Sequence, residues 1–177
     1  MTESKHLWAI GYDDMGRAEQ VRDEIIKLGW DTHYLILLNI AVVVRHPDGS
    51  FTYNREPFPA VANILGCTTV GFLVGLVLFV PLVGAALGAL LGAAGTAASV
   101  AAVGIGDDFV RQVEGLMRPG TSALFVLDSE GDMEMILHAI RGLGGTVLKT
   151  NVDVDRARLI QATLAAASTD RSKPDGQ

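Results

Sequence analysis

The sequence predicts an α+β fold: a ferredoxin-like domain built as βαβ–insert–βαβ, carrying an inserted apolar, Gly/Ala-rich helical hairpin. Three observations carry this reading. Apolar runs and helical periodicities occur twice in the order strand–helix–strand. Between Glu56 and Asp107 lie 50 residues without a single Lys, Arg, Asp, Glu or His. On both sides of that gap the sequence is ordinary and rich in charge, so the two halves read as one domain and the gap as an insertion. Two βαβ units with four main strands match the split βαβ pattern. The boundaries that follow are 1–56 for the first half with a β-hairpin, 57–106 for the apolar hairpin, 107–167 for the second half and 168–177 for a disordered polar tail.

Each element has a local cause. Leu7-Trp8-Ala9-Ile10-Gly11-Tyr12 reads as a strand. Asp13 or Asp14 can cap the next helix, because a carboxylate accepts from the free N–H groups of a first turn. Met15, Ala18, Val21, Ile25 and Leu28 follow at three- and four-residue steps, one helical face that Gly29 should end. Tyr34 to Val44 is rich in Leu, Ile and Val and reads as a strand buried on both faces. His46-Pro47-Asp48-Gly49 is a turn, with Phe51-Thr52-Tyr53 pairing back as a hairpin.

After the gap, Asp107 or Asp108 should cap a helix with Phe109, Val110, Val113, Leu116 and Met117 inward, stopped by Pro119-Gly120. Ser122 to Leu127 reads as a central strand. Met133 to Arg141 reads as a helix ended by Gly142, Gly144 and Gly145. Thr146 to Asn151 reads as a strand and Val154 to Ala166 as a last helix.

The insert divides at Pro81, where the missing N–H and the ring clash favour the bend of the hairpin. Its first arm, Val61 to Val80, holds 12 Val, Ile, Leu and Phe residues. Together these favour membrane insertion by roughly 5 kcal/mol on a biological insertion scale, before Asn63, the threonines and the glycines offset part of it. The second arm, Leu82 to Val103, has fewer bulky residues but a clear pattern. Gly84, Gly88 and Gly92 recur at four-residue spacing, with Ala85, Ala89 and Ala93 beside them. Such a smooth face admits another backbone closely. Gly71 and Gly75 give the first arm a matching step. These eight small residues are the expected helix-packing and oligomerisation positions.

Net charge is −6 and the pI about 5.1, with no Lys/Arg cluster, which excludes a nucleic-acid partner. Cys67 is the only cysteine, so no intrachain disulfide forms. His6, His33, His46 and His138 are scattered, with none at a metal-ligand spacing. No G-x-G-x-x-G or G-x-S-x-G register is present. The expectation is therefore no catalytic residue, no metal and no cofactor. Met1 to Leu7 is polar and lacks an apolar signal region. Arg45, Arg55, Arg111 and Arg118 flank the insert, so the positive-inside rule puts the soluble domain in the cytoplasm.

The stretch Ile40 to Gly49 (Ile-Ala-Val-Val-Val-Arg-His-Pro-Asp-Gly) resembles the strand–turn motif of a bacterial family of membrane proteins without assigned activity, domain of unknown function twelve sixty-nine. Gly71, Pro81, Gly84, Gly88 and Gly92, the Gly104-Ile105-Gly106-Asp107-Asp108-Phe109 segment, and Leu116 through Leu127 are similar to that family's central region. The family often carries an acidic residue where this chain has Asn39. The resemblance implies membrane association and no known substrate. The expected function is thus a non-enzymatic protein of the cytoplasmic membrane, anchored in the lipid bilayer and homo-oligomerised by its hairpin. A soluble homo-oligomeric particle with hairpins buried between subunits is the alternative. A small-ligand sensor is a third reading, resting on fold analogy.

Overall fold

Residues Ala123 to Leu127 are apolar at consecutive positions rather than alternate ones, and a strand of that kind needs cover on both faces. In the computed structural model these residues sit in the strand Thr121–Ser129, inside an antiparallel sheet. The structure describes residues 5–32, 39–57, 69–83, 100–129, 137–138, 140–159 and 162. Its elements are β1 (Lys5–Tyr12), α1 (Arg17–Thr32), β2 (Asn39–Arg45), β3 (Phe51–Tyr53), β4 (Glu56–Pro57), α2 (Thr69–Val83), α3 (Asp107–Leu116), β5 (Thr121–Ser129) and β6 (Thr146–Val152). The sheet order is β4-β3-β2-β5-β1-β6, with every neighbouring pair antiparallel. Strands β1 and β2 are linked through α1 yet do not pair, because β5 lies between them. In the same way β1 lies between β5 and β6.

Both faces of the central strands β1, β5 and β2 are buried. On one, Ile10, Val42, Leu124 and Val126 meet Ala18, Val21 and Ile25 of α1, together with Ile140. On the other, Leu7, Ala9, Ala41, Val43 and Phe125 meet Phe72, Leu73 and Val77 of α2 and Val110 and Val113 of α3. The register explains the fit. Phe125 is paired with Ala9 on one side and Ala41 on the other, so two small residues flank one ring and leave room for a helix above. Fully burying each Val, Leu or Phe contributes about 1.5–3 kcal/mol, so both layers matter to stability.

Several local expectations need correction. Gly29 does not end the first helix, which runs on to Thr32. The α3 cap is Gly106, with no side-chain hydrogen bond; Asp107 and Asp108 occupy the first turn, where their charge complements the helix dipole. Asp14 does act at the start of α1, its Oδ1 accepting from Gly16 N–H at 2.8 Å. Strand β2 begins at Asn39, and residues 34–38 of the expected strand lie outside the described ones. A further hairpin, β3–β4, escaped the sequence reading. It turns at Asn54 and Arg55, both with positive φ, and Asn54 Oδ1 accepts from Val42 N–H. Of the expected helix at 133–141, Leu137 and His138 are helical, and residues 133–136 and 139 lie outside the described residues. Residues 154–159 are helical; the tail at 168–177 is also outside.

Candidate functional site

Two places bear on function. The first is α2, the described part of the insert. Its 15 residues include no charge and one hydroxyl, Thr69. From Val70 to Leu78 every residue but Leu76 is buried, and Leu76 packs half-buried against the same core. A helix that is apolar all round belongs where water is absent on every side. Here α2 meets that need on the sheet's second face. Gly71 and Gly75 lie within this buried stretch. Pro81 is helical, in the last turn of α2, which continues to Val83. The other expected packing positions, Gly84, Ala85, Gly88, Ala89, Gly92 and Ala93, lie outside the described residues. At 1.5 Å per residue α2 is about 22 Å long, short of the ~30 Å of a bilayer core. Among the described residues no helix is long and apolar enough to cross a membrane.

The insert rejoins the domain on β6. Val103 C=O accepts from Asp153 N–H at 2.8 Å, and Gly104 has φ +85°. A Cβ on Gly104 would stand 3.0 Å from the Asn151 carbonyl oxygen, so this crossing requires glycine. The four flanking arginines are held by the domain itself. Arg45 donates to the Met117 carbonyl at 2.5 Å and lies over the Phe51 ring. Arg55 pairs with Glu19, Arg111 with Asp108, and Arg118 with Asp13.

The second place is a cleft of about 660 Å3 at the end of β1. Its walls include Tyr12, Arg17, Gln20, Leu116, Leu143 and Gly145. Tyr12 ends β1 with its side chain 5% exposed, and its hydroxyl has no hydrogen-bond partner. Burial pushes the Tyr12 phenol up to about 12, partly opposed by the Arg17 charge. Gly145 makes room for the ring: a Cβ there would fall 2.7 Å from Tyr12 Cε1, at a φ of +106°. Arg17 opens α1 and reaches across to residue 143. Its Nε and Nη2 both donate to the Leu143 carbonyl at 3.2 Å, and its Nη1 donates to Gln20 Oε1 at 3.0 Å. Ser122, fully buried on β5, ties the helix start down. Its hydroxyl accepts from Ala18 N–H at 3.2 Å and donates to the Asp14 carbonyl at 2.5 Å.

The cleft was not found from the sequence, where Gly11 to Gly16 offered only a strand-to-helix connection without a phosphate-binding register. Among the described residues no group of three His, Cys, Asp or Glu side chains could hold a metal ion. Of the histidines, His6 is buried on β1, His46 bonds Thr52 Oγ1 at 2.5 Å across its hairpin, and His138 is exposed; His33 and Cys67 lie outside the described residues.

A family model described as a protein of unknown function, DUF1269, matches residues 64–165, more than half of the chain. The chain belongs to the DUF1269 family. That span begins just before α2 and runs through α3, β5 and β6, so the DUF1269 match takes in the buried apolar helix and the second half of the domain. The strand–turn stretch at 40–49, and Tyr12 and Arg17 of the cleft, precede it. No curated protein and no solved structure matches the chain.

Proposed function

We propose that this DUF1269 protein is a non-enzymatic, ferredoxin-like module that works by self-association through the second arm of its insert. The strand order β6-β1-β5-β2, with the two strands of each half separated by a strand of the other, supports the ferredoxin-like reading. The observation that carries the self-association reading is the burial of Val70 to Leu78 by the chain's own domain. Those residues supply most of the first arm's insertion energy, and a helix already seated on the sheet does not offer them to lipid. The second arm has few bulky residues beyond its Gly and Ala steps, so its own insertion energy is small. What it does offer is a close-packing face at Gly84, Gly88 and Gly92, suited to copies of itself.

Anchoring in the cytoplasmic membrane, with the soluble domain on the cytoplasmic side, is the second reading. It is favoured by the 50 charge-free residues of the sequence, of which α2 accounts for only 15. One fractionation separates the two. The full chain is expressed without detergent, the membranes are spun out and washed with alkaline carbonate, and the supernatant is sized by light scattering. A single large uniform species in the supernatant is the expected result. Retention in the washed pellet, released by detergent alone, would establish the anchor instead. A soluble monomer would defeat both readings.

A further inference from the structure

Among the described residues the two edges of the sheet are finished differently. Strand β4 closes one edge with Glu56 and Pro57, a charge and a residue without an N–H, which keep an exposed edge from pairing. Strand β6 closes the other with Thr146 to Val152, rich in β-branched residues and free of proline and carboxylates. Its one charge, Lys149, does not guard the edge. The ammonium lies 4.8 Å over the ring of Trp8, which is on β1, the strand inboard of β6. Val147 is 42% exposed and Lys149 is exposed beside it. The register fixes which backbone groups point outward. Val42 donates its N–H to Asn54 Oδ1 and accepts from Asn54 N–H, so it turns toward β3. Along the row Val42, Leu124, Ile10, Val147, antiparallel partners face apart, then together, then apart. Val147 therefore turns its N–H and C=O off the sheet, and so do Lys149 and Asn151. Asp153, in the same phase, donates outward to Val103, and Gly104 crosses against the Asn151 carbonyl. The N–H and C=O of Val147 and of Lys149 are left without a partner.

We propose that β6 is a docking edge for a second copy of this chain, the two strands pairing antiparallel about a two-fold axis through Leu148. In this register Val147 faces Lys149 of the second copy, Lys149 faces its Val147, and each pair exchanges two N–H···O=C bonds. Every open backbone group of both residues is then used, on both copies, as an isologous contact requires. On the opposite face the half-buried Leu148 meets Leu148 of the second copy, and Thr146 meets Thr150. Asn151 comes opposite Gly145, whose missing side chain leaves room for the Val103–Gly104 crossing. The other registers fail. An axis at Lys149 sets two ammonium groups opposite each other and brings the covered Asn151 against Val147. An axis at Val147 sets Lys149 against Gly145, which lies outside the strand with φ +106°. An axis between residues opposes an outward residue to an inward one. This match of the strand with itself singles out a second copy as the occupant. The edge is separate from the Gly84–Gly88–Gly92 arm, so the inference stands whether that arm meets lipid or other copies of the chain.

The test is disulfide cross-linking of the purified full chain in a Cys67→Ser background. The protein is held at about 0.1 mM with a mild thiol oxidant and read on a non-reducing gel. On the axis, two copies of residue 148 form a non-hydrogen-bonded pair with Cα atoms about 4.5 Å apart, within reach of a disulfide. Two copies of residue 147, or of residue 149, stand diagonally, about 7–8 Å apart and out of reach. Leu148→Cys should therefore give a covalent dimer, and Val147→Cys or Lys149→Cys at least about tenfold less of it. Val147→Pro, added to Leu148→Cys, removes an N–H that serves nothing within the chain. It should leave the fold intact by Trp8 fluorescence and abolish the cross-link. If the proline prevents folding, Val147→Lys at the same exposed position decides the matter. It sets like charges opposite each other and should cut the yield about tenfold. No dimer from Leu148→Cys would overturn the proposal, as would equal yields from the three cysteines or an undiminished yield in a folded Val147 variant. The cross-link reports on β6 alone, so its outcome is independent of the fractionation.

Discussion

Leu73→Ala is the sharpest probe of where the apolar insert belongs. Leu73 sits in the middle of α2 with no exposed surface, inside the cluster that covers the second face of the sheet. Truncating a fully buried leucine removes its transfer energy and leaves a cavity, which together cost about 2–5 kcal/mol. For a chain of this size each kcal/mol lowers the thermal midpoint by roughly 2–4 °C, so a loss of about 3 kcal/mol should appear as a drop of roughly 6–12 °C. The assays are thermal and urea unfolding of the full chain, each followed by Trp8 fluorescence in a Trp30→Phe background. Trp8 lies on β1, far from α2 in sequence, so it reports on the sheet and not on the helix itself. Leu76→Ala, at a half-buried position of the same helix, should cost less, about 1–2 kcal/mol. If α2 is part of the domain core, both changes shift the Trp8 transition in that order. A shift below about 1 kcal/mol for Leu73→Ala would refute the reasoning, because it would mean that the sheet is stable without this helix on it.

Two further outcomes follow from the cleft. Ser122→Ala removes one buried hydroxyl that serves two backbone groups, the Ala18 N–H and the Asp14 carbonyl, and should destabilise the chain by about 2–3 kcal/mol in the same urea assay. The Tyr12 phenol, pushed up to about 12 in the folded chain against the ordinary 10.0, leaves stability independent of pH while both folded and unfolded chains keep it protonated. Stability should therefore be constant below about pH 10 in respect of this group and fall between about pH 10 and 12, by up to about 3 kcal/mol. Tyr12→Phe should remove that component, read as the difference between the two stability–pH curves; parallel curves would refute it.

The elements outside the insert were legible because their signals are local. Turn residues at His46 to Gly49 and the three- and four-residue steps of Ala18, Val21 and Ile25 each specify a geometry without reference to the rest of the chain. Elsewhere the chain departs from a local preference. Gly29 is a good stop signal, yet α1 passes through it. The β3–β4 turn uses Asn54 and Arg55 rather than glycine, and the Asn54 side chain compensates by taking the place of a strand partner for Val42. The cleft was invisible for a different reason. Tyr12, Arg17 and Leu143 come together only when β1 and β6 pair, through Ile10↔Val147 and Gly11↔Thr146, and no short-range pattern encodes that pairing.

The insert shows why apolarity by itself cannot assign a place. A lipid bilayer and a protein core both exclude water, so a charge-free run satisfies either one, and its length is the only local discriminator. A better discriminator was present in the strands. Ala41-Val42-Val43-Val44 and Ala123 through Leu127 are apolar at every position, which means that both faces of the sheet must be covered. The charge-rich segments supply α1 and Ile140 to one face, and α3 with Val154 and Ala157 of the helical residues 154–159 to the other. These two short helical stretches are too small to cover Leu7, Ala9, Ala41, Val43 and Phe125. A further apolar helix was therefore required on that face, and the first arm of the insert was the available supply. Counting the faces that need cover assigns α2 to the domain. It leaves the Gly84–Gly88–Gly92 arm as the part of the insert whose partner has to come from elsewhere, and that arm is where the fractionation experiment has its leverage.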